Sequence, residues 1–249
     1  MEAILIMAGL SRAYKRRGNM VANIGAPVLC LDAGSRLSYP GSGTTWTDLS
    51  GNGNTGTLTN GPTYSSANGG AIVFDGVNDY STASSGLTSN SDFSVSFWIY
   101  YLSPYGGGNT DRGLVTTWDT SWNGFGIGTA TNGTIIRSWA RNGAGGGMNW
   151  ANISAIANGW HNLVLVYNHA TRKQDGYIDA TFMISETGSG TSITHSTLQI
   201  SCGGQTGSTQ LTYYPYLNAR FGNVNVYNRA LSAAEISTNF NLLRGRYGI

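Results

Sequence analysis

The chain has 249 residues, a length that fits one large sandwich domain or two small domains. Charged residues make up 10% of it, well below the roughly 25% of an average soluble domain, and a net charge of +2 is too small to indicate a nucleic-acid-binding surface. Hydrophobic residues amount to 40%, which excludes intrinsic disorder, and 36 glycines indicate many tight turns. Such a profile is typical of secreted and virion-surface β proteins.

The N-terminal segment differs from the rest of the chain and ends at the break formed by Gly25, Ala26 and Pro27. We predict an extended arm over residues 1–26 and a single domain over residues 27–249. Four basic residues cluster in the arm: Arg12, Lys15, Arg16 and Arg17. The cluster is either a solvated tail or an anchor that docks on an acidic partner surface, and nucleic-acid contact is a weaker third interpretation.

No stretch of the sequence is long enough to span a bilayer, so we expect no membrane contact. The apolar residues 3–10 precede the basic cluster, which is the wrong order for a signal peptide. Classical secretion is therefore not expected.

A loop rich in side-chain oxygens lies at residues 48–54. Asp48, Asn52 and Asn54 supply carboxylate and amide oxygens, the ligands that Ca²⁺ prefers, although the spacing is not that of an EF-hand. The alternative is an Asx-turn in which Asp48 and Asn52 accept backbone N–H groups. Both interpretations stay open, and calcium is the only cofactor that the sequence suggests.

Short strands separated by Gly, Asn or Ser clusters dominate from Val28 onward. The segment Asp92–Tyr101 alternates cleanly, with Phe93, Val95, Phe97 and Ile99 on one face and Ser94, Ser96, Trp98 and Tyr100 on the other. Further strands are predicted at Ala71–Phe74, Gly113–Trp118, Phe125–Gly128, Thr134–Trp139, Trp160–Tyr167, Gly176–Ile184, Leu198–Cys202 and Phe221–Tyr227. Recurrent strands with almost no helix predict an all-β sandwich or closed barrel.

Aromatic residues are the best candidates for a binding surface. They fall in segments rich in Gly, Asn and Ser, and the candidates are Trp118, Trp122, Trp139, Trp150 and Tyr214. A flat ring beside polar groups suits a sugar, whose C–H face stacks on the ring while its hydroxyls find polar partners. The alternative is that these rings cap the open ends of the sandwich or lie in a homo-oligomer interface.

One helix is predicted near the C-terminus. Ser232 and Glu235 have the spacing of a capping box, and Ile236, Phe240 and Leu243 follow at helical intervals. Gly245 is the expected C-terminal cap.

Five segments in this order resemble the laminin-G-like (concanavalin A-like) jelly-roll domains: Trp46–Asn54, Phe74–Tyr80, Phe93–Tyr101, Trp160–Val164 and Val226–Ser232. The resemblance covers about residues 28–243 and implies two packed antiparallel sheets, often glycan or protein binding, and a calcium ion in some members. We therefore expect a two-sheet antiparallel jelly-roll sandwich with a short C-terminal helix and an extended N-terminal arm. The first two segments look most like versions carried by bacteriophage structural proteins.

Catalysis is not expected from the residues present. Retaining glycosidases need two carboxyl groups about 5 Å apart, and none of the three glutamates has another acidic residue two positions away. No Gly-x-Ser-x-Gly elbow surrounds a serine, and no Cys/His spacing fits a metal site. A glycoside hydrolase is kept only as a remote alternative.

Two hypotheses of different class follow from the sequence. The first is a non-enzymatic phage virion protein (capsid decoration, tail or fibre) assembled in the host cytoplasm, displayed on the particle surface as a trimer and anchored to other virion proteins by the arm. The second is an adhesin that recognises host-surface polysaccharide through the Trp-rich loops. A displayed domain could have both roles.

Overall fold

Strands form most of the part of the chain that the structure describes. The structure is a computed structural model that describes residues 25–102, 112–117, 124–130, 135–141, 149–154, 156–188, 197–201 and 216–249. The strands in chain order are β1 (Leu29–Asp32), β2 (Thr45–Trp46), β3 (Gly56–Thr59), β4 (Thr63–Ser65), β5 (Ala71–Asp75), β6 (Tyr80–Ser84), β7 (Phe93–Tyr101), β8 (Arg112–Thr116), β9 (Gly124–Ala130), β10 (Ile135–Arg141), β11 (Asn149–Ser154), β12 (Gly159–Asn168), β13 (Lys173–Ile178), β14 (Thr181–Thr187), β15 (Thr197–Ile200) and β16 (Asn218–Tyr227). A single 3₁₀ turn lies at Ala67–Gly69, and helix α1 spans Ala233–Tyr247.

The strands form two antiparallel sheets, which confirms the predicted all-β jelly-roll sandwich. In sheet A the order is β14-β13-β12-β7-β16-β5-β4, and β1 also pairs with β16. In sheet B the order is β11-β10-β9-β8-β15-β6-β3-β2. Some neighbours, such as β8 to β11, are consecutive hairpins, whereas others, such as β7 and β16, are distant in sequence and are brought together by long chain connections.

The main core lies between the two sheets and is built from alternate residues of each strand. Phe93, Val95, Phe97 and Ile99 of β7 are fully buried in it, as the alternation of that segment predicts. Sheet B contributes residues such as Phe125, and its ring lies 4.3 Å from that of Phe93. Period-two patterning thus fixes which side of each strand faces the other sheet.

One predicted strand is wrong in its extent. The segment Gly176–Ile184 is not continuous but folds into the hairpin of β13 and β14. Asp179 and Ala180 form its turn with positive φ angles of 50° and 63°, the backbone that a two-residue hairpin turn requires. Neither residue is glycine, so the turn carries no strong signal in the sequence.

Helix α1 covers the face of sheet A that points away from the main core. The ring of Tyr247 stacks on that of Trp98 at 4.2 Å and lies 4.5 Å from that of Trp160, and Phe240 stacks on Trp98 at 5.6 Å. Both faces of β7 are therefore buried, which explains why Trp98 is only 1% exposed although it alternates with the core residues.

The capping box of the helix is confirmed. The Ser232 side chain accepts the N–H of Glu235, and the Glu235 carboxylate accepts the N–H of Ser232 at 2.9 Å. The predicted C-terminal cap of the helix is wrong. Gly245 lies inside the helix, and the cap is Gly248, with φ +79°. The helix continues past Gly245 because Tyr247, in the last turn, is anchored on Trp98.

An ion pair fixes the end of the helix to sheet A. Arg246 Nη2 lies 2.7 Å from Asp32 Oδ1, and Asp32 is 3% exposed. The same carboxylate oxygen accepts the N–H of Gly34. Two opposite charges buried together are costly unless both remain paired, so this contact holds the helix in one position.

The predicted N-terminal arm and its basic residues, Arg12, Lys15, Arg16 and Arg17, lie outside the described residues. The described chain begins at Gly25, where a side chain would overlap the guanidinium of Arg229. No helix among the described residues has the length and apolar character needed to cross a membrane.

Substitution of Glu235 by Gln should destabilise the domain at neutral pH. The bidentate ion pair with Arg229, at 2.7 and 3.0 Å, lowers the pKa of Glu235 from 4.5 to about 2. Because the folded-state pKa is depressed, its stabilisation is present above pH 4.5 and is lost as the pH falls towards about 2. We expect Glu235→Gln to lower the free energy of unfolding by about 1 kcal/mol at pH 7. The difference from wild type should shrink below pH 4.5 in urea titrations.

Glu186→Gln, on an exposed position of β14, is the matched control and should leave stability unchanged. A constant difference between Glu235→Gln and wild type down to pH 2 would contradict the assignment.

Candidate functional site

One row of residues crosses every strand of sheet B on the face that points away from the core. The register of the strand pairs joins Thr45, Thr57, Thr82, Gln199, Thr116, Gly126, Trp139 and Trp150 in this order. Strands lie about 4.8 Å apart, so the row extends over about 34 Å. It contains no charged residue.

The accessible part of the row is a patch of hydroxyl groups. Thr45 and Thr57 are exposed and Thr82 is half-buried. Ser84 and Thr197 are exposed beside them and face each other across β6 and β15. We call these five residues the hydroxyl patch. Each hydroxyl can donate and accept a hydrogen bond, so the patch offers a neutral array of hydrogen-bonding groups at strand spacing.

Trp139 is predicted from the sequence to be a binding ring that a sugar can reach. The structure contradicts this, because Trp139 is fully buried. Its indole lies over Gly126 and Gly128 of β9, and a side chain at either glycine would overlap the ring. Because glycine has no side chain, these two positions leave a shallow channel, and the indole of Trp139 fills it. No ligand could stack on Trp139 in this conformation.

The other predicted binding aromatics cannot be placed. Trp118, Trp122 and Tyr214 lie outside the described residues, and for Trp150 only the backbone is described, opposite Trp139. Their role in binding stays a prediction.

The Asp48 loop is an internal hydrogen-bonded turn. Asp48 Oδ1 accepts the N–H groups of Cys30 at 2.9 Å and Ser50 at 2.8 Å. Asp48 Oδ2 accepts the N–H of Asn54 at 2.9 Å and the Ser50 hydroxyl at 2.7 Å. A carboxylate has about four acceptor positions, and these four donors occupy them.

The amides of this loop also act within the protein. Asn52 Nδ2 and Asn54 Nδ2 both donate to the carbonyl oxygen of Val28, at 3.2 and 2.8 Å. The described residues contain no group of three or more His, Cys, Asp or Glu side chains that could hold a metal ion. The donor set therefore fits an Asx-turn that fastens the loop to β1, and it does not fit a calcium site without loss of these hydrogen bonds.

Asp75 and Asp79 are neighbouring carboxylates with structural contacts. Asp79 Oδ2 accepts the N–H of Asp75 at 3.1 Å, and Asp75 Oδ1 accepts the N–H of Val77 at 2.7 Å. Burial, followed by the charge of Asp75, raises the pKa of Asp79 despite the backbone hydrogen bond. The two carboxylates hold the turn between β5 and β6.

His161 joins two loops at one end of the sandwich. Its Nδ1 lies 2.7 Å from Asp179 Oδ2, and its Nε2 lies 3.0 Å from the carbonyl oxygen of Ala157. Both partners are acceptors, so only the imidazolium satisfies both contacts. Burial lowers the pKa of His161, but the hydrogen bond and charge of Asp179 outweigh it, and the pKa is raised above 6.5.

The hydroxyl patch was missed by sequence reasoning. Alternation in segments such as Tyr80–Ser84 indicates which residues share one face of a strand. It does not indicate that Thr82 lies between Thr57 and Gln199, because these belong to strands far apart in the chain. Only the register of the sheet brings them together.

A family model described as concanavalin A-like lectin/glucanases superfamily matches residues 75–237. A search of curated protein sequences finds no match to the chain.

Several solved structures are similar to the chain. The binding domain of Paraclostridial Mosquitocidal Protein 1 has a TM-score of 0.66 at 18% identity, over 87% of this chain and 52% of that one. The receptor binding domain of botulinum neurotoxin type G has a TM-score of 0.62 at 16% identity, over 88% and 51%. A structure of botulinum neurotoxin type C, described as entering cells through interaction with two ganglioside molecules, has a TM-score of 0.68 at 14% identity, over 88% and 51%. These likenesses establish the fold, and the chain spans about half the length of each neighbour.

Replacement of Asp48 by Ala should destabilise the fold whether or not calcium is present. The N–H of Cys30 would lose its acceptor in a buried position, and we expect a loss of about 2–4 kcal/mol in the free energy of unfolding. Thermal melts of the wild type with added CaCl₂ and with EDTA should coincide. A calcium-dependent rise in Tm that disappears in Asp48→Asn would instead establish a calcium ligand.

We expect the free energy of unfolding to fall as the pH rises, because His161 loses its proton and with it part of its contact with Asp179. Because the folded-state pKa is raised, the contribution is fully present below the unfolded-state pKa of about 6.5 and is lost as the pH rises through the folded-state value. We expect His161→Gln to flatten the pH dependence of stability above pH 6.5 and to cost about 1 kcal/mol at pH 6. Asp179→Asn should remove the same pH dependence, and the double variant should add nothing to it. Retention of the wild-type slope in either variant would refute the coupling.

Proposed function

Because the chain belongs to the concanavalin A-like lectin/glucanases superfamily, we propose that it is a carbohydrate-binding domain whose hydroxyl patch on sheet B contacts the sugar. The observation that carries this proposal is the neutral row of hydroxyl-bearing residues on the outer face of that sheet. Sugars carry many hydroxyls, and neutral hydroxyls of the protein can both donate hydrogen bonds to them and accept hydrogen bonds from them.

The position of helix α1 supports the choice of face. The helix packs on sheet A through Phe240 and Tyr247, so the central rows of that sheet's outer face are buried. Among the described residues no helix packs on sheet B, where Thr45, Thr57 and Thr197 are exposed. Sheet B therefore offers exposed hydroxyls to a ligand at the end formed by β2, β3 and β6, whereas Gln199, Thr116 and Trp139 farther along the row are buried.

Aromatic rings extend the proposed site. Trp118, Trp122, Trp150 and Tyr214 keep their predicted role, in which each ring stacks on the C–H face of a sugar. Only the position of the Trp150 backbone, beside Trp139 at the end of the row, connects this prediction to the described surface.

The proposed role is binding without catalysis. The adjacent carboxylates Asp75 and Asp79 hold backbone N–H groups in a turn, and Asp79 is only 4% exposed. The carboxylate of Glu235 is held by Arg229 and the helix cap. These contacts favour structural roles for the acidic groups over hydrolysis of a glycosidic bond.

The test is binding of the full chain to a panel of neutral and acidic polysaccharides, followed by two triple variants. Thr57→Ala/Thr82→Ala/Thr197→Ala removes three hydroxyls of the patch, and we expect affinity to fall at least about tenfold because each lost hydrogen bond contributes about 1 kcal/mol. The matched control, Thr181→Ala/Thr187→Ala/Thr238→Ala, removes three exposed threonine hydroxyls from sheet A and the helix and should bind like the wild type.

Trp118→Ala, Trp122→Ala and Trp150→Ala test the aromatic end in the same assay, and each should weaken binding. If a well-folded sample binds no polysaccharide, the proposed function is wrong. If binding persists equally in both triple variants, the patch is not the site.

A role on a phage particle is the second candidate. The resemblance of Trp46–Asn54 and Phe74–Tyr80 to segments of phage structural proteins favours it, together with the basic cluster of residues 12–17. In this role the domain would be displayed as a trimer on the virion surface and anchored by residues 1–26. Deletion of residues 1–26 should then abolish co-sedimentation with particles but not glycan binding. Normal incorporation of the deletion variant would contradict the anchoring role.

A further inference from the structure

A second row of polar and aromatic residues lies on the outer face of sheet A, next to the rows that the helix covers. The register joins Trp160, Tyr100, Arg220, Val73 and Thr63 in this order. Trp160 is 6% exposed, whereas Tyr100, Arg220 and Val73 are half-buried and Thr63 is exposed. The row therefore forms a ledge beside Tyr247, the last residue of the helix.

Arg220 has no counter-charge on this ledge. Its guanidinium lies 5.1 Å from the centre of the Tyr100 ring. Among the described residues, none forms an ion pair or hydrogen bond with it. A half-buried guanidinium has five N–H donors in a planar fork that matches a carboxylate. The cation–π contact holds the guanidinium over the Tyr100 ring but satisfies none of its N–H donors.

Other donors in the same cluster also lack partners. Trp160 packs against Tyr100 in an edge-to-face arrangement at 5.7 Å and against Tyr247 at 4.5 Å. Trp160 Nε1 and Tyr247 Oη are buried, and no described residue accepts a hydrogen bond from either. Native structures leave few buried donors without partners, and each such group calls for an explanation, such as a water or an ion. This is an observation independent of Arg220.

The one acidic residue in the next row does not satisfy Arg220. Asp75 pairs in register with Asn218, two residues before Arg220. Its carboxylate accepts the N–H groups of Val77 and Asn78 in its own turn, at 2.7 and 3.4 Å. Asp75 forms no ion pair with Arg220 among the described contacts, so the guanidinium stays available to an external anion.

We propose that the ledge formed by Trp160, Tyr100 and Arg220 binds the carboxylate of an acidic sugar residue, at a second site on the opposite face from the hydroxyl patch. The N–H groups of the Arg220 guanidinium donate hydrogen bonds to the carboxylate. The Tyr100 hydroxyl donates to the same carboxylate or to a neighbouring sugar hydroxyl. This inference rests on the proposed carbohydrate-binding function. It adds that the ligand carries uronic or sialic acid residues and that the domain contacts it on two faces.

The experiment measures binding of the full chain to polygalacturonate and to dextran, an acidic and a neutral polymer. Arg220→Gln should lower affinity for polygalacturonate about tenfold, since a charge-assisted bidentate contact is lost, and should leave dextran binding unchanged. Arg220→Lys keeps the charge without the fork and should recover only part of the affinity. Arg36→Gln changes the net charge equally at an exposed site and should bind like the wild type.

A titration distinguishes a sugar carboxylate from any other carboxylate. The ligands are the methyl glycoside of glucuronate (with a free carboxylate), glucose and acetate, and the NMR signal of the Trp160 indole N–H is monitored. Assignment of that signal uses Trp160→Phe, whose melting curve shows whether the fold is retained. A shift with glucuronide in wild type but not in Arg220→Gln supports the proposal, and an equal shift with acetate would show a general carboxylate site and overturn the sugar assignment.

The experiments distinguish failure of the proposed carbohydrate-binding function from failure of the Arg220 ledge. Dextran binding combined with equal polygalacturonate affinities of wild type and Arg220→Gln would overturn the ledge while the hydroxyl patch stands. Absence of binding to every polysaccharide of the panel would overturn the carbohydrate function, and an unresponsive Trp160 signal in the titrations would overturn the ledge as well.

Discussion

The stacking of Tyr247 on Trp98 determines which surfaces of this sandwich remain open. Trp98 lies on the side of β7 that faces away from the main core, and Tyr247 and Phe240 bury it under the helix. The buried ion pair of Arg246 with Asp32 prevents the helix end from moving away. Sheet A is thereby covered over its central rows, and among the described residues its last row and the hydroxyl patch of sheet B stay accessible.

Polar groups buried under the helix give this packing a single register. Asn162 Nδ2 donates to Ser96 Oγ at 3.2 Å and to the carbonyl oxygen of Phe97 at 3.1 Å. Ser94 Oγ accepts the N–H of Leu231, just before the helix. The bond to Leu231 would be broken if the helix shifted by one turn, whereas the apolar contacts alone would tolerate a shift. Neutral polar side chains thus also form hydrogen bonds in the interior of the domain.

The two faces of the domain offer different chemistry to a ligand. The hydroxyl patch on sheet B is neutral, and the ledge on sheet A combines aromatic rings with one uncompensated guanidinium. The loop of Asp48, which resembled a metal site, serves instead to fasten the chain to β1 through hydrogen bonds. In our proposal these two strand faces contact the ligand, and the carboxylate-centred turns keep the fold rigid.

The sequence by itself determined the class of fold, the strands around Phe93–Tyr101 and the capped helix, because alternation and capping act over a few residues. Its few and scattered carboxylates also led us to expect no hydrolysis, which stays a prediction. It could not determine that Trp139 is buried, since this depends on Gly126 and Gly128 of a neighbouring strand. Nor could it group Thr57 with Thr82 and Thr197, or Tyr100 with Arg220. Those groupings arise from pairing between strands distant in the chain, and only the tertiary structure fixes that register.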